Sequence, residues 1–491
     1  MKISSRELVL LGLLGVLVFV PSLQYERWGI DYLYNHKRLF QIGSLLLAGT
    51  ILITIKTNRE IAAQFIQLYS LKVKLAFAVI ILLGGLSAFY AELTDWAFLD
   101  YSHYLLILVI TFFIGVITYR DSDKSQLYLQ AAVIGFVCFY LARVAVFYLL
   151  YHFGEVPLWP GDLNDKALFS FSNIRFFNQT QTWTIPILAS LGWFYWRYTK
   201  NNLYRWGLVI LIAGWGTLVF ASGARGTILG VVIGILFIWF FLVQEKWKFF
   251  LYHASLAGIS IISYNLLFSY GEEGKETVLR TNNLRSYWPD VIDKIFQEPI
   301  LGYGPMHYAS VLLGQHNGHP HNWFLQFSYE WGLIVAILFL MLALLGLYNC
   351  GIYLNGIFDK EGLPKKKYWV QFGIYWSLIA AFIHGLFSGL AVMPLSQTWF
   401  VLICGMAMGL YFNEKKKRQI QDNYVKGTKI FLVFLVLISF VGYVNWAINN
   451  PIDRNEVDAR FYQESTSSRS YPRFWQQGRI GIDQISGIEE N

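Results

Sequence analysis

The sequence predicts an all-α polytopic membrane protein with about 13 transmembrane helices. Three observations carry that expectation. Of the 491 residues, 55% are hydrophobic and only 14% charged, where a soluble domain carries about 25% charged residues. Apolar runs of 18 or more residues recur along the whole chain, each able to cross a hydrocarbon core of roughly 30 Å as a helix. The short alternating segments of an outer-membrane barrel are absent. Lysine is spread unevenly over the segments between the runs, the pattern that orients helices in a bilayer.

Met1 to Arg6 followed by Leu8 to Val20 reads as a first span that is retained, since no small-residue cleavage site follows. The spans as a whole cover approximately 7–24, 38–56, 73–91, 97–118, 127–151, 182–198, 204–221, 227–244, 249–270, 323–349, 368–391, 396–412 and 430–447. With the N-terminus cytoplasmic, 17 of the 21 lysines fall inside, among them Lys72, Lys74, Lys124, Lys200, Lys246, Lys248 and the runs at 360–367 and 414–418, which fixes that orientation. The membrane domain is then 1–447, with large outer loops at 152–181 and 271–322, a short outer turn at 222–226, and an outer tail at 448–491. The net charge of +8 is the topological lysine surplus, not a nucleic-acid footprint. Cys138, Cys350 and Cys404 lie in or beside apolar segments, so disulfides do not organise the fold. No transporter-type internal repeat is present.

The polar residues of interest crowd into the outer segments. Arg225 lies in "ASGARGTILG", where Gly223 and Gly226 permit a tight turn at the head of the next helix. A guanidinium there suits a phosphate, which the fork and the helix N-terminus both favour; a snorkelling interfacial arginine is the alternative. Arg280 and Arg285 flank "TNNL", ahead of Trp288 and "PILGYGP" (299–305). On a short amphipathic helix over 284–297, Arg285 points either into a site or at water. Arg143 sits in the outer half of the fifth span, where a charge faces a cavity or pairs with a carboxylate such as Glu92 or Asp95. "FSNIRFFNQTQTW" (171–183) offers Arg175, Asn178, Gln179 and Gln181 just before a span, as site residues or as an interfacial anchor. His307, His316, His319 and His321 share one window. Their spacing matches no standard metal pattern and no carboxylate or cysteine accompanies the last three, so a general base fits better than zinc.

Taken together these pieces resemble the O-antigen ligase and polymerase superfamily. His321-Asn322, nine residues, then Gly332 is similar to its signature, with Val335 at the final position. "SGARG" (222–226) resembles its Ser-x-x-Arg-Gly turn, and "LRSYWPDVIDKIFQEPILGYGP" (284–305) its Arg-x-x-Trp helix followed by Pro-x-x-Gly-x-Gly. The resemblance covers roughly 30–412. "YNHKRLFQIG" (34–43), "NIRFFNQTQTWTIPILA" (173–189) and "HPHNWFLQFSYEWG" (319–332) look most like the branch of protein O-oligosaccharyltransferases that modify pilins.

The resemblance implies a GT-C-like helical enzyme of the bacterial inner membrane with a periplasmic site. It implies an undecaprenyl-diphosphate-linked glycan as donor, a pilin-like periplasmic protein as acceptor, and no metal or other cofactor. His321 is then the general base. Arg225 and Arg285, with Arg143 and Arg175 as helpers, bind the diphosphate. Asn322, His319, Asn178 and Gln179 contact the acceptor or orient His321. Direct attack by a Ser or Thr hydroxyl implies inversion at the anomeric carbon. An O-antigen ligase or polymerase shares the donor and differs in the acceptor. A lipid-linked glycan transporter is the non-enzyme alternative. Glu330 receives no role, because nine residues along a continuous helix place it on roughly the opposite face from His321.

Overall fold

A computed structural model describes residues 5–18, 33–153, 174–241, 245–268, 286–311, 318–360, 366–413, 422–449, 473–475 and 480. Every regular element among them is helical. In chain order they are α1 (Ser5–Val18), α2 (Leu33–Thr54), α3 (Lys56–Gln67), α4 (Leu71–Phe89), α5 (Thr94–Arg120), α6 (Ser122–His152), α7 (Ile174–Tyr198), α8 (Asn202–Ala221), α9 (Arg225–Phe241), α10 (Lys246–Phe268), α11 (Trp288–Gln297), α12 (Trp323–Trp331), α13 (Leu333–Lys360), α14 (Lys366–Gly385), α15 (Pro394–Asn413) and α16 (Asp422–Asn449). A single 3-10 turn spans His307–Ala309.

Twelve of the 13 expected spans each fall on one of these helices and the tenth is divided between two, and nine of the described helices are by themselves long and apolar enough to cross a membrane. The chain is a multi-pass membrane protein. In a bilayer only a helix satisfies its own backbone polar groups, so long apolar runs have no other spanning form here.

Helices α5 and α15 form the centre of the bundle, buried along most of their length, whereas α10 and α13 are largely exposed at the periphery. Small residues allow the central pair to approach closely: a Cβ at Gly405 would press on the carbonyl of Thr111, and one at Gly409 on the carbonyl of Gly115. Helix α14 packs against α7 and α9 in a second sub-bundle.

Three short helices depart from the expected spans. Helix α3 is amphipathic, with Asn58, Ala62, Ala63 and Phe65 buried and Lys56, Thr57 and Gln64 exposed; its 12 residues are too few to span. Helix α11 begins at Trp288 rather than near 284, with Pro289 in its first turn. The tenth expected span is broken. Helix α12 ends at Trp331, Gly332 turns the chain at φ 90°, and α13 starts afresh at Leu333. The cause is the preceding loop, which lies against the break. The backbone N–H of Leu333 donates to Pro299 O at 2.8 Å, that of Tyr303 to Tyr329 O and that of Gly304 to Glu330 O, both at 2.9 Å. "PILGYGP" is therefore a bracket on the end of α12, with Gly302 and Gly304 at positive φ where a Cβ would strike neighbouring atoms.

Candidate active site

The site is assembled where α7, α9, α12 and α14 end on one face of the bundle. Helix α8 stops at Ala221, Gly223 takes φ 61°, and Arg225 opens α9 with its side chain exposed. Two residues on, buried Thr227 donates to Asn178 O on α7 at 2.8 Å and shares a 2.9 Å bond with Thr182. Thr182 meets Nδ1 of buried His384, near the end of α14, at 2.6 Å. The His384 ring in turn covers Gly226, leaving no room for a Cβ. The head of α9 is thus held from two sides.

The histidine loop lies against the next few residues of α14. The Trp323 indole packs on Gly385, and the buried His319 ring packs on Gly389, where a Cβ would overlap it. Buried Gln179 donates through Nε2 to Ser388 Oγ at 3.1 Å. The segment from His384 to Gly389 is therefore a shared strut that touches the arginine turn, α7 and the histidine loop.

His321 is half-buried and takes φ 55°, one of two non-glycine residues in the left-handed region among those described. Such strain concentrates where a structure over-determines a functional side chain. The backbone N–H of His321 donates to His319 Nδ1 at 3.1 Å, and the two rings meet edge to face at 4.2 Å. Asn322 caps α12, its side-chain oxygen accepting from the backbone N–H of Phe324 at 2.9 Å and of Leu325 at 3.1 Å. From the other side, Trp288 Nε1 and the Tyr287 hydroxyl donate to Pro320 O at 3.0 and 3.3 Å. The tryptophan of the Arg-x-x-Trp pattern thus braces the turn between the two histidines. Burial pushes the His319 imidazole well below its usual range, and the charges of His321, Arg473 and Arg175 act in the same direction.

Arg175 is exposed at the head of α7, one turn before Asn178 and Gln179, and close enough for its charge to reach His319. Arg143 lies on α6 beside Tyr140, with its field reaching Lys37. The two carboxylates considered for it are engaged elsewhere. Asp95 accepts from Asn445 at 3.0 Å, and Glu92 lies 3.6 Å from His307. Arg285, Arg280 and His316 lie outside the described residues. Among the described residues no group of three or more His, Cys, Asp or Glu is disposed to hold a metal.

A polar core beneath the histidine loop was not apparent from the sequence. Buried Arg38 donates to Gln41 at 2.8 Å, to Gln397 at 2.5 Å and to the carbonyl of Val392 at 2.5 Å, and lies 2.9 Å from His103 Nε2. It thereby fixes the connection from α14 to α15 that carries Ser388 and Gly389. The available signal was the polar cluster Asn35, His36, Lys37, Arg38 and Gln41 at the start of an apolar helix, where buried charge is expensive without partners. Lys37, one residue earlier, lines a small cavity with Tyr34, Phe176, Met393, Pro394 and Ser396.

The arginine turn and the histidine loop, far apart in sequence, fall within one matched segment. Residues 209–340 match the model of the O-antigen ligase family. No curated protein matches the chain. The O-antigen ligase match holds Arg225, His319, His321 and Asn322, together with α9 to α12 and the glycine bracket on α12. Arg143, Arg175, Asn178 and Gln179 precede it. The family comprises glycosyl-transferring membrane enzymes that use lipid-linked glycan donors.

Proposed function

We propose that this chain is a protein O-oligosaccharyltransferase of the bacterial inner membrane, moving a glycan from an undecaprenyl-diphosphate carrier to a Ser or Thr of a periplasmic, pilin-like protein. The observation that carries the reading is the convergence of the Arg225 turn and the His321 loop, both inside the O-antigen ligase match, on the strut from His384 to Gly389 beyond it. In this reading residues 1–447 form the catalytic membrane domain, its N-terminus is cytoplasmic, and the site opens to the periplasm.

The chemistry is a direct displacement. The acceptor hydroxyl oxygen forms a bond to the anomeric carbon as the bond from that carbon to the diphosphate oxygen breaks. The proton passes to His321, and the electron pair leaves with the diphosphate, whose charge Arg225 and Arg285 neutralise, with Arg143 and Arg175 as helpers. Attack from the opposite face inverts the anomeric configuration. Asn322 holds the start of α12, and with it the place of His321, while buried His319, Asn178 and Gln179 orient the loop and the arginine turn from behind. The alternative acceptor is a lipid A core sugar, which the description of the family as O-antigen ligase favours.

The test is transfer from a polyprenyl-diphosphate-linked glycan by the purified protein, offered either a pilin-like protein or lipid A core, with products read by mass. The expected result is a glycan mass on a Ser- or Thr-containing peptide, lost in His321→Ala while that variant stays folded. Transfer to lipid A core alone would replace the acceptor, and full activity of His321→Ala would remove the base.

A further inference from the structure

Among the described residues of the C-terminal tail, Arg473, Phe474, Trp475 and Ile480 lie buried in the bundle. Arg473 is fully buried, and its Nη2 donates to Glu330 Oε2 at 2.5 Å and to Asp100 Oδ2 at 3.2 Å. Its Nε points to Met306 Sδ at 3.3 Å, and its carbonyl accepts from the Tyr34 hydroxyl at 2.5 Å. The carbonyl of Phe474 accepts from Arg38 Nε at 3.0 Å, and the Arg38 guanidinium lies 4.7 Å from the Phe474 ring centre. Trp475 packs on Trp446 of α16 at 5.5 Å. The tail therefore ties α2, α5, α12 and α16 together at the end of the bundle that carries the histidine loop.

Two buried carboxylates on separate helices repel one another and are costly without a shared cation. Arg473 supplies it. Glu330 lies in the last turn of α12, a helix of only nine residues whose first turn is capped by Asn322 and preceded by His321. So short a helix moves as a unit, and a shift at Glu330 is a shift at His321.

We propose that Arg473, delivered by the C-terminal tail, is a positioning residue for the histidine loop: by clamping Glu330 to Asp100 it sets the depth and register of α12 and so the place of His321. The proposal rests on the glycosyl-transfer reading above. It gives the C-terminal tail a part in catalysis, exerted through α12.

The experiment uses the full-length protein in nanodiscs with a polyprenyl-diphosphate-linked glycan and the acceptor it modifies. Arg473→Met should lower kcat about tenfold or more, as misplacement of a reacting group does, with KM for the donor within about twofold of the parent. Hydrogen exchange in 318–333 should accelerate, while exchange in α9 stays as in the parent. If Arg473→Met does not fold, Glu330→Gln, which keeps the side-chain shape and releases the clamp, should give the same pattern. An unchanged kcat per folded enzyme, or exchange that rises equally in α9, would overturn the proposal. If the parent itself transfers no glycan, the transfer reading fails instead, and the exchange comparison still decides whether Arg473 holds α12.

Discussion

At the residue scale, the roles turn on what each side chain's neighbours permit. Arg225 stands exposed at the head of α9 while the residues behind it are fixed by Thr182, Thr227 and His384. If it grips a diphosphate through its fork, Arg225→Lys should reduce transfer at least about tenfold, because an ammonium cannot make the bidentate contact. Transfer assays at saturating acceptor check this, and parent-like activity would identify an interfacial anchor. His319 is a different case. Burial lowers its proton affinity in the folded loop, so the unfolded loop binds the proton more tightly. The stability it contributes is therefore full above the ordinary histidine value of about 6.5 and declines as pH falls below that value. Exchange protection of 318–333 should weaken between about pH 7.5 and 5.5, and His319→Gln should flatten that dependence. Protection that does not change with pH in the parent would exclude the effect.

At the element scale, the decisive feature is the interruption between α12 and α13. Hydropathy reads 323–349 as continuous, because the break is made by one glycine and by a loop twenty-odd residues upstream whose backbone bonds to it. Gly332 has φ 90°, and a Cβ there would strike the carbonyl of Ile300. Gly332→Ala should lower stability by about 2 kcal/mol or more, from backbone strain of about 1–2 kcal/mol together with the clash. A fall of several degrees in the melting temperature of the detergent-solubilised protein is the expected readout. A variant that melts with the parent would mean the bracket adapts. The same break leaves Glu330 in the last turn of a short buried helix rather than in the first third of a spanning one.

At the scale of the whole molecule, charge is sorted twice. At one end of the bundle Lys429 of α16 pairs with Glu60 of α3 at 3.2 Å. The other end buries Arg38, Arg473, Asp100 and Glu330 as two cations against two anions. Such a cluster persists because removing one member strands the others. The candidate site sits on top of it, with arginines at the heads of α7 and α9 and the histidine loop between α11 and α14.

The sequence by itself determined the helical membrane class and the 13 runs that become helices, because apolar length is a local property and a bilayer admits few backbone solutions. It also singled out Arg225 and His321, since a charged or titratable group at an apolar edge is conspicuous without any knowledge of its partners. Only the tertiary structure decided what supports them: His384 behind Gly226, Trp288 on Pro320, Gly389 under His319, and Arg473 on Glu330. Those contacts join residues tens to hundreds of positions apart, and side-chain packing between helices leaves no periodic mark along the chain from which they could be read.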